Sequence, residues 1–534
     1  MLKMTVITDT HYYSQKIGIE GKAYEAEKMK SQRLLAECGE LLWAAFRQIA
    51  DDKSNDIVLL SGDVTNNGEI CSHLEFIEML RWLKNQGKRV YVITATHDYK
   101  SDGTTRGFCG DELISIPAAR REELFELYRE FGPDDALAIH RESMSYTVDL
   151  SEEYRLLALN DDSNLNGSNG FSKECFQWIS EQIKQARKDR KFIIAMTHHP
   201  LIPPTPVYEI IGLHHDMQTD YKNTLESLAD MGVQFILTGH THIHNISSHL
   251  SKSGNMIYDI CTSSLVGYPA VFRNLTFDTT NSIVNIETSF IDNTPNFDLK
   301  GNSLQEYLAN QLVGMVRDLI HAAGSSIDTL AYMITSVSIS SKFVYKYGWL
   351  IKPFAKWFNN LNMGRLGRWT KAETGLKPQE YAKIGGRPVV DFIVELIMNL
   401  YGGESKYPPE TPEYKIIVGT LNIIDSILRT LHIDIKKITR VSGSIREMLE
   451  PLLYNPDYSA YNVTLPIMPF YENGHTGFQP KKNKSISTVK ESRKGLPIVI
   501  IASVLLLILL PFIIILLTGG FIVNNVRYRD KLRK

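Results

Sequence analysis

The chain reads as an α/β protein: stacked β-sheets flanked by helices, then a mostly helical region and one apolar helix near the C-terminus. Three observations predict this. Short apolar runs of strand type alternate with amphipathic stretches of helical period through the first half of the chain. Beyond Asp298 the apolar period is helical. From Gly495 to Val526 no side chain is ionisable.

The elements follow in order. Residues 4–7, 57–60 and 90–93 are short apolar runs, each stopping at a polar cluster, and read as buried strands. Between the first two, Leu34, Leu35, Leu41, Leu42, Ala45, Phe46 and Ile49 recur at helical spacing and predict one long helix over residues 23–50. A second helix is predicted over 74–83, and a third over 174–183 ahead of the strand run 192–196. Residues 145–150 and 154–159, separated by Ser-Glu-Glu, read as a hairpin. Residues 245–291 carry short β-type runs between Ser, Thr and Asn turns and read as the second sheet. The stripe Leu304, Leu308, Leu312, Met315, Leu319 and Ile320 opens the helical region, continued by runs over 327–339, 389–401 and 416–431. No internal repeat is present.

The chemistry sits at the strand ends. Asp9-Thr10-His11 follows the first strand, Gly62-Asp63 the second and Thr96-His97-Asp98 the third; His198-His199-Pro200 and Gly239-His240-Thr241-His242 follow two later runs. A lone Gly-Asp is usually a turn, and a lone His after a strand is usually a capped or solvated residue. Together, at successive strand ends, they deliver carboxylate oxygen and imidazole nitrogen to one sheet edge. That is the donor set divalent ions require, held by rigid elements.

In this order the motifs resemble those of the calcineurin-like metallophosphoesterases: D-x-H, G-D, G-N-H-D/E, a lone H, then G-H-x-H, matched across roughly the first 250 residues. The stretches Thr8 to Tyr12, Ser61 to Glu69 and Phe131 to Ala136 are similar to a bacterial, phosphodiesterase-like branch with a helical C-terminal region. The resemblance implies a four-layer α/β/β/α sandwich. It also implies two divalent ions (Mn, Fe, Zn or Mg) sharing the carboxylate of Asp63. Asp9, His11 and His242 would complete the first ion's protein ligands; His198 and His240, with Thr96, would serve the second. A bridging hydroxide would then be the nucleophile and His97 the proton donor to the leaving group, with Asn66 and Asp98 orienting its ring. The sequence departs from the pattern at one ligand: Thr96 stands where the family has Asn, and Ala95 where it has Gly. A hydroxyl is a shorter and weaker donor than an amide oxygen, so the second site is expected to be looser or completed by water.

Other histidines carry less weight. His199 is expected beside the site as a supporting or rim residue, His244 in a solvated loop or facing substrate, and His214 and His215 on the surface of a loop leaving His198.

A formal net charge of −2 gives no reason to expect nucleic acid as a partner. The 5 cysteines are odd in number and without paired spacing, which argues against a disulfide framework. Residues 342–371 contain no acidic side chain, and mix Lys342, Lys346, Lys352, Lys356, Arg365, Arg368 and Lys371 with Tyr345, Trp349, Trp357 and Trp369. That mixture suits a membrane interface or a polyanionic substrate, or else a helical cap with core aromatics and solvated lysines.

The apolar run over 495–523 exceeds the roughly 20 residues needed to span a hydrocarbon core, and predicts a single-pass anchor. Basic residues flank both ends, so the positive-inside rule is nearly tied. A chain that begins on its first strand favours a cytosol-facing enzyme; a signal sequence ahead of Met1 would make it extracytoplasmic. The expected organisation is a catalytic region over 1–297, a helical domain over 298–455, a polar linker over 456–494, the membrane helix over 495–523 and a basic tail over 524–534. The expected function is a membrane-anchored, two-metal phosphoesterase acting on a phosphate ester, in the first place a phosphodiesterase. The alternatives are a phosphomonoesterase and a non-catalytic membrane scaffold with a decayed second metal site.

Overall fold

The computed structural model describes residues 1–471 except 29–30, 163–168, 206–216, 292–293, 295, 334–340, 371–373, 405, 431–443 and 455–459. Strands β1 (Leu2–Ile7), β2 (Ile57–Ser61) and β3 (Arg89–Ile93) run parallel, and β4 (Thr104–Cys109) pairs β5 (Glu112–Pro117) in a separate hairpin. A second sheet uses β6 (Ala138–His140), β7 (Ser145–Asp149), β8 (Tyr154–Ala158), β9 (Phe192–Met196), β10 (Phe235–Thr238), β11 (Asn245–Leu250) and β12 (Met256–Cys261) in the order β11-β12-β10-β9-β8-β7-β6. Strands β13 (Val271–Asp278), β14 (Ile283–Phe290) and β15 (Val463–Pro466) complete the first sheet as β15-β14-β13-β1-β2-β3.

Residues 245–291 were expected to form one second sheet, and here the structure differs. They divide: β11 and β12 join β10, whereas β13 crosses over to pair antiparallel with β1. The hairpin β7–β8 forms as its pattern indicates. Strand β15 lies inside the stretch expected to be polar linker, and Val463 to Pro466 pair with Ile283 to Ile286.

The two sheets pack face to face. Val6, Leu59 and Ile93 of the first meet Leu156, Ile194 and Leu237 of the second in one apolar layer. Outside the first sheet the helices Cys38–Asp51 and Ile70–Asn85 bury Leu41, Phe46, Phe76 and Leu80; outside the second, Lys173–Lys188 and Tyr221–Met231 bury Ile179, Ile183 and Leu228. The result is helix, sheet, sheet, helix. The strands β1, β2, β8, β9 and β10 are buried on both faces, which is why they read as continuous apolar runs and not as alternating ones.

One long helix over 23–50 was also expected. Instead Lys22–Lys28 and Cys38–Asp51 are separate helices, and the Leu34 amide bonds the Val266 carbonyl between them. Leu34 and Leu35 are buried, so they keep the apolar period without being helical. The break carries Gln32 and Arg33 toward the edge where β1 and β2 end.

The C-terminal region is helical. Its main helices are Leu304–Ser325, Ser341–Asn359, Val389–Tyr401, Pro412–Thr430 and Ile445–Leu453, and its apolar core is continuous with that of the second sheet's outer helices. It touches the loop after β10 and strand β13 directly: the His244 amide bonds the Tyr401 carbonyl, and the Arg273 guanidinium bonds the Ala460 carbonyl. All 5 cysteines are free. No helix among the described residues is long and apolar enough to cross a membrane. The expected anchor over 495–523 lies outside the described residues.

Candidate metal centre

The parallel strands β1, β2 and β3 of one sheet and β9 and β10 of the other end at the same edge of the sandwich. Asp9 and His11 follow β1, Asp63 follows β2, His97 follows β3, His198 follows β9, and His240 and His242 follow β10. Register sets their approach: Ile7 pairs with Leu60, and the Asp9 and His11 amides then bond the carbonyls of Gly62 and Asp63.

The backbone there is strained. Asp9 (φ 48°), His11 (φ 38°), Asp63 (φ 50°), His240 (φ 68°) and His242 (φ 57°) all adopt left-handed conformations that L-residues avoid. Such strain persists where surrounding structure enforces it, and it concentrates at functional sites. Two glycines make room. A Cβ on Gly62 would lie 2.7 Å from His198 Nδ1, and one on Gly239 would lie 2.1 Å from Thr8 Oγ1 and 2.4 Å from Asp9 Oδ2.

The side chains meet in two groups joined by carboxylates. His11 Nε2 lies 2.9 Å from His242 Nε2, and these nitrogens lie 3.6 and 3.3 Å from Asp9 Oδ1. His198 Nε2 lies 3.1 Å from Asp63 Oδ2 and 3.3 Å from His240 Nδ1. Three donor sets have atoms within 4.8 Å of one another: Asp9, His11 and His242; Asp9, Asp63 and His198; and His198, His199 and His240.

Asp9 Oδ1 and Asp63 Oδ2 are buried and accept no hydrogen bond, although each faces imidazole nitrogen. The other carboxylate oxygens are used, Asp9 Oδ2 by the His240 amide (2.9 Å) and Asp63 Oδ1 by the His97 amide (2.9 Å). His198 Nδ1–H donates to the Ser61 carbonyl (2.8 Å), which fixes the ring and turns Nε2 to Asp63. Oxygen and nitrogen donors that converge this way fit divalent cations. Burial works to raise the pKa of Asp9 and Asp63, but the surrounding histidines outweigh it and hold both carboxylates ionised, well below their ordinary value. Burial lowers His240 and His97 well below 6.5, so both imidazoles are neutral near pH 7.

The family model for calcineurin-like phosphoesterase matches residues 2–244, which hold every donor just described. Residues 2–244 belong to the calcineurin-like phosphoesterases. The phosphoesterase region is thereby that of a metal-dependent phosphoester hydrolase. No curated protein matches the chain. Solved structures to which the chain is similar include a dimetal phosphatase from Danio rerio, at 13% identity over 55% of this chain and 96% of that one, with a TM-score of 0.38. Purple acid phosphatase from yellow lupin (Lupinus luteus) is 13% identical over 56% of this chain and 52% of its own, with a TM-score of 0.32. The NAD nucleotidase of Haemophilus influenzae is 13% identical over 54% and 48%, with a TM-score of 0.28.

The residues around the phosphoesterase donors differ from expectation in several places. Asn66 meets the His97 ring through its backbone: His97 Nδ1–H donates to the Asn66 carbonyl at 2.6 Å. Asp98, adjacent to His97, has a further set of partners. Its carboxylate accepts the Thr65 amide and hydroxyl and the Ala95 amide, so it ties the β3 loop to the β2 loop. Burial and the Asp63 charge raise its pKa to about 7. Thr96 follows Ala95 at the end of β3 and is half-buried, with a hydroxyl in place of an amide. His244 is not solvated; it is fully buried, with Nε2 2.9 Å from Thr288 Oγ1, and burial keeps it neutral. His214 and His215 lie outside the described residues.

His199 is a buried neighbour of the site and not a rim residue. Its ring centroid is 4.1 Å from that of His240, and its Nδ1 is 3.1 Å from Asp161 Oδ1. Asp161, Gln32 and Arg33 were not legible as site residues. The Gln32 amide lies 2.8 Å from His242 Nδ1, and Arg33 Nη1 lies 3.1 Å from His11 Nδ1. Arg33 is only 9% exposed.

Proposed function

We propose that the chain is a two-metal phosphodiesterase tethered to a membrane by residues 495–523. The observation that carries the metal reading is the pair of bare, buried carboxylate oxygens, Asp9 Oδ1 and Asp63 Oδ2, facing imidazole nitrogens from both sheets. Asp9, His11, Asp63 and His242 would hold one divalent ion; Asp63, His198, His240 and Thr96 would hold the other. Ions bound there supply Lewis acidity toward phosphoryl oxygen and lower the pKa of water. The protein's own part is positional. The strained loops fix the donors, the Asn66 carbonyl holds His97 in one tautomer, and the ring can then pass a proton to the leaving oxygen through its other nitrogen. Because burial lowers His97, this role requires it to take up a proton during turnover.

Preference for a diester rests on the similarity of residues 8–12, 61–69 and 131–136 to the phosphodiesterase-like branch. A phosphomonoester is the second reading, favoured by two buried cations beside the site, Arg33 and Lys100, which suit a dianion. The membrane reading is supported by one face of the helix Ser341–Asn359, where Lys342, Tyr345, Trp349, Lys352 and Lys356 are all exposed, Trp349 by 76%. Aromatic and basic side chains on one exposed face suit a lipid interface. In this reading the catalytic region faces the cytosol.

The test is hydrolysis of a matched chromogenic diester and monoester by the full chain in detergent, after chelation and after addition of Mn²⁺, with Asp63→Asn beside it. Metal-restored turnover of the diester that Asp63→Asn abolishes supports the proposal. Turnover of the monoester alone transfers it to the second reading. Absence of turnover with either substrate leaves a membrane scaffold.

A further inference from the structure

Among the described residues, the Arg33 guanidinium and the Lys100 ammonium are buried beside the candidate metal centre with no carboxylate paired directly to either. Arg33 reaches in from the break between the first two helices. Its Nε makes no hydrogen bond, and its Nη1 is directed at the His11 imidazole, 3.1 Å from Nδ1. An imidazole that gives its Nε2 lone pair to an ion keeps hydrogen on Nδ1, so His11 then offers the guanidinium no acceptor. Lys100 comes from the loop after β3, where its amide bonds the Ala119 carbonyl; its buried Nζ makes no hydrogen bond. Among the described residues neither cation has a carboxylate within ion-pair distance. Asp63 and Glu69 act on both cations at longer range, joined by Glu27 and Asp9 at Arg33 and by Asp98 at Lys100. The Asn66 side-chain oxygen is buried nearby and also unpaired.

Burying a charge without a partner is costly, and removing one partner of a buried pair typically costs several kcal/mol. A fold that keeps two such cations around one metal centre gains from them only when an anion arrives. Ions on Asp9 and Asp63 would consume the carboxylate charge and leave Arg33 and Lys100 less compensated still. The anion that comes to this place is the scissile group. A guanidinium fork suits two oxygens of a tetrahedral phosphoryl group, and an ammonium acts as a point charge on a third.

We infer that Arg33 and Lys100 form a phosphoryl-binding clamp, in which the guanidinium and the ammonium hydrogen-bond the non-bridging oxygens of the substrate's phosphate beside the metal ligands. The clamp deepens the phosphoesterase reading above and rests on it. Because it answers to charge, it binds a dianionic monoester more strongly than a monoanionic diester.

The experiment measures inorganic phosphate binding by calorimetry, and metal content by elemental analysis, on the Mn²⁺-loaded full chain as wild type, Arg33→Met, Arg33→Lys and Lys100→Met. Each loss of a charge-assisted hydrogen bond is expected to weaken phosphate about ten- to a hundredfold. Arg33→Lys should recover part of that loss, and all variants should keep the wild-type metal content. KM for a monoester should rise more than KM for the matched diester. Unchanged phosphate affinity in Arg33→Met and Lys100→Met overturns the clamp while the metal reading stands. Loss of metal in step with phosphate overturns it too, by making Arg33 a support for His11. If Arg33→Met does not fold, Arg33→Lys and Lys100→Met decide by the same criteria. A wild type that takes up no metal removes the phosphoesterase reading and the clamp with it.

Discussion

The edge where the two sheets end and the helical region beyond Leu304 are built on opposite terms. At the edge, Asp9, His11, Asp63, His240 and His242 sit at positive φ, and carboxylates and imidazoles are fully buried around them. In the helical region the buried residues are chiefly apolar, such as Phe392, Ile397 and Ile416, and charged pairs such as Arg317–Asp391 lie outside. One region holds its backbone and its charges in unfavourable states; the other supplies ordinary packing against it. The contrast shows where this chain accepts strain to keep a geometry. The C-terminal region meets the edge by direct hydrogen bonds, from the His244 amide to Tyr401 and from Arg273 on β13 to Ala460.

The comparison breaks most severely at Gly239. A side chain there meets Thr8 and the Asp9 carboxylate, so Gly239→Ala should lose most metal and nearly all metal-dependent turnover, with a stability cost of about 1–3 kcal/mol for the overpacking. Elemental analysis and a denaturant melt report both; retained metal would show that the edge is softer than its contacts imply. The converse variant is Phe392→Ala. It should cost about 3–5 kcal/mol of stability, yet leave the folded protein's metal content unchanged. A loss of metal in that variant would mean that the two regions are coupled and not merely packed.

A pH experiment sharpens the boundary between them. His73 is buried behind the edge, its Nε2–H donating to the Asp98 carbonyl (2.8 Å) and its Nδ1 accepting from the Tyr128 hydroxyl (2.7 Å), and burial lowers its pKa to about 4. Above the ordinary value of 6.5 neither folded nor unfolded His73 is charged, so its contribution is constant. Between 6.5 and 4 the unfolded chain takes up a proton that the folded one refuses, and stability falls as pH falls. His73→Gln should be less stable than wild type at pH 7, with the difference narrowing toward pH 4 by on the order of 3 kcal/mol. A pH-independent difference would show that the imidazole titrates normally. The smallest effect on stability is expected at Trp349→Ala, within about 0.5 kcal/mol because the ring is exposed. Its effect should appear instead as weaker sedimentation with anionic vesicles, and unaltered sedimentation would leave the stripe as plain surface.

Legibility of the site followed locality. Each of Asp9, Asp63, His97, His198 and His240 stands just beyond a continuous apolar run, and a buried strand followed by Asp or His is a signal contained in a few consecutive residues. The break between the first two helices gave no such signal, because Leu34 and Leu35 stay apolar and buried whether or not they are helical. Strand β15 was missed for a related reason. Its partner β14 lies far away in sequence, and an edge strand alternates polar and apolar residues as a linker also can.

By itself the sequence determined which donor atoms this protein owns, their order along the chain and the strand ends that carry them, because those depend on short-range periodicity and residue chemistry. Tertiary structure alone decided which donors face one another across the two sheets. It also decided that β13 returns to β1, that His244 is walled in by the helical region, and that, among the described residues, Arg33 and Lys100 are buried beside Asp63 without a directly paired carboxylate. Those facts depend on register and long-range packing, and burial of a charge leaves no mark on the residues next to it in the chain.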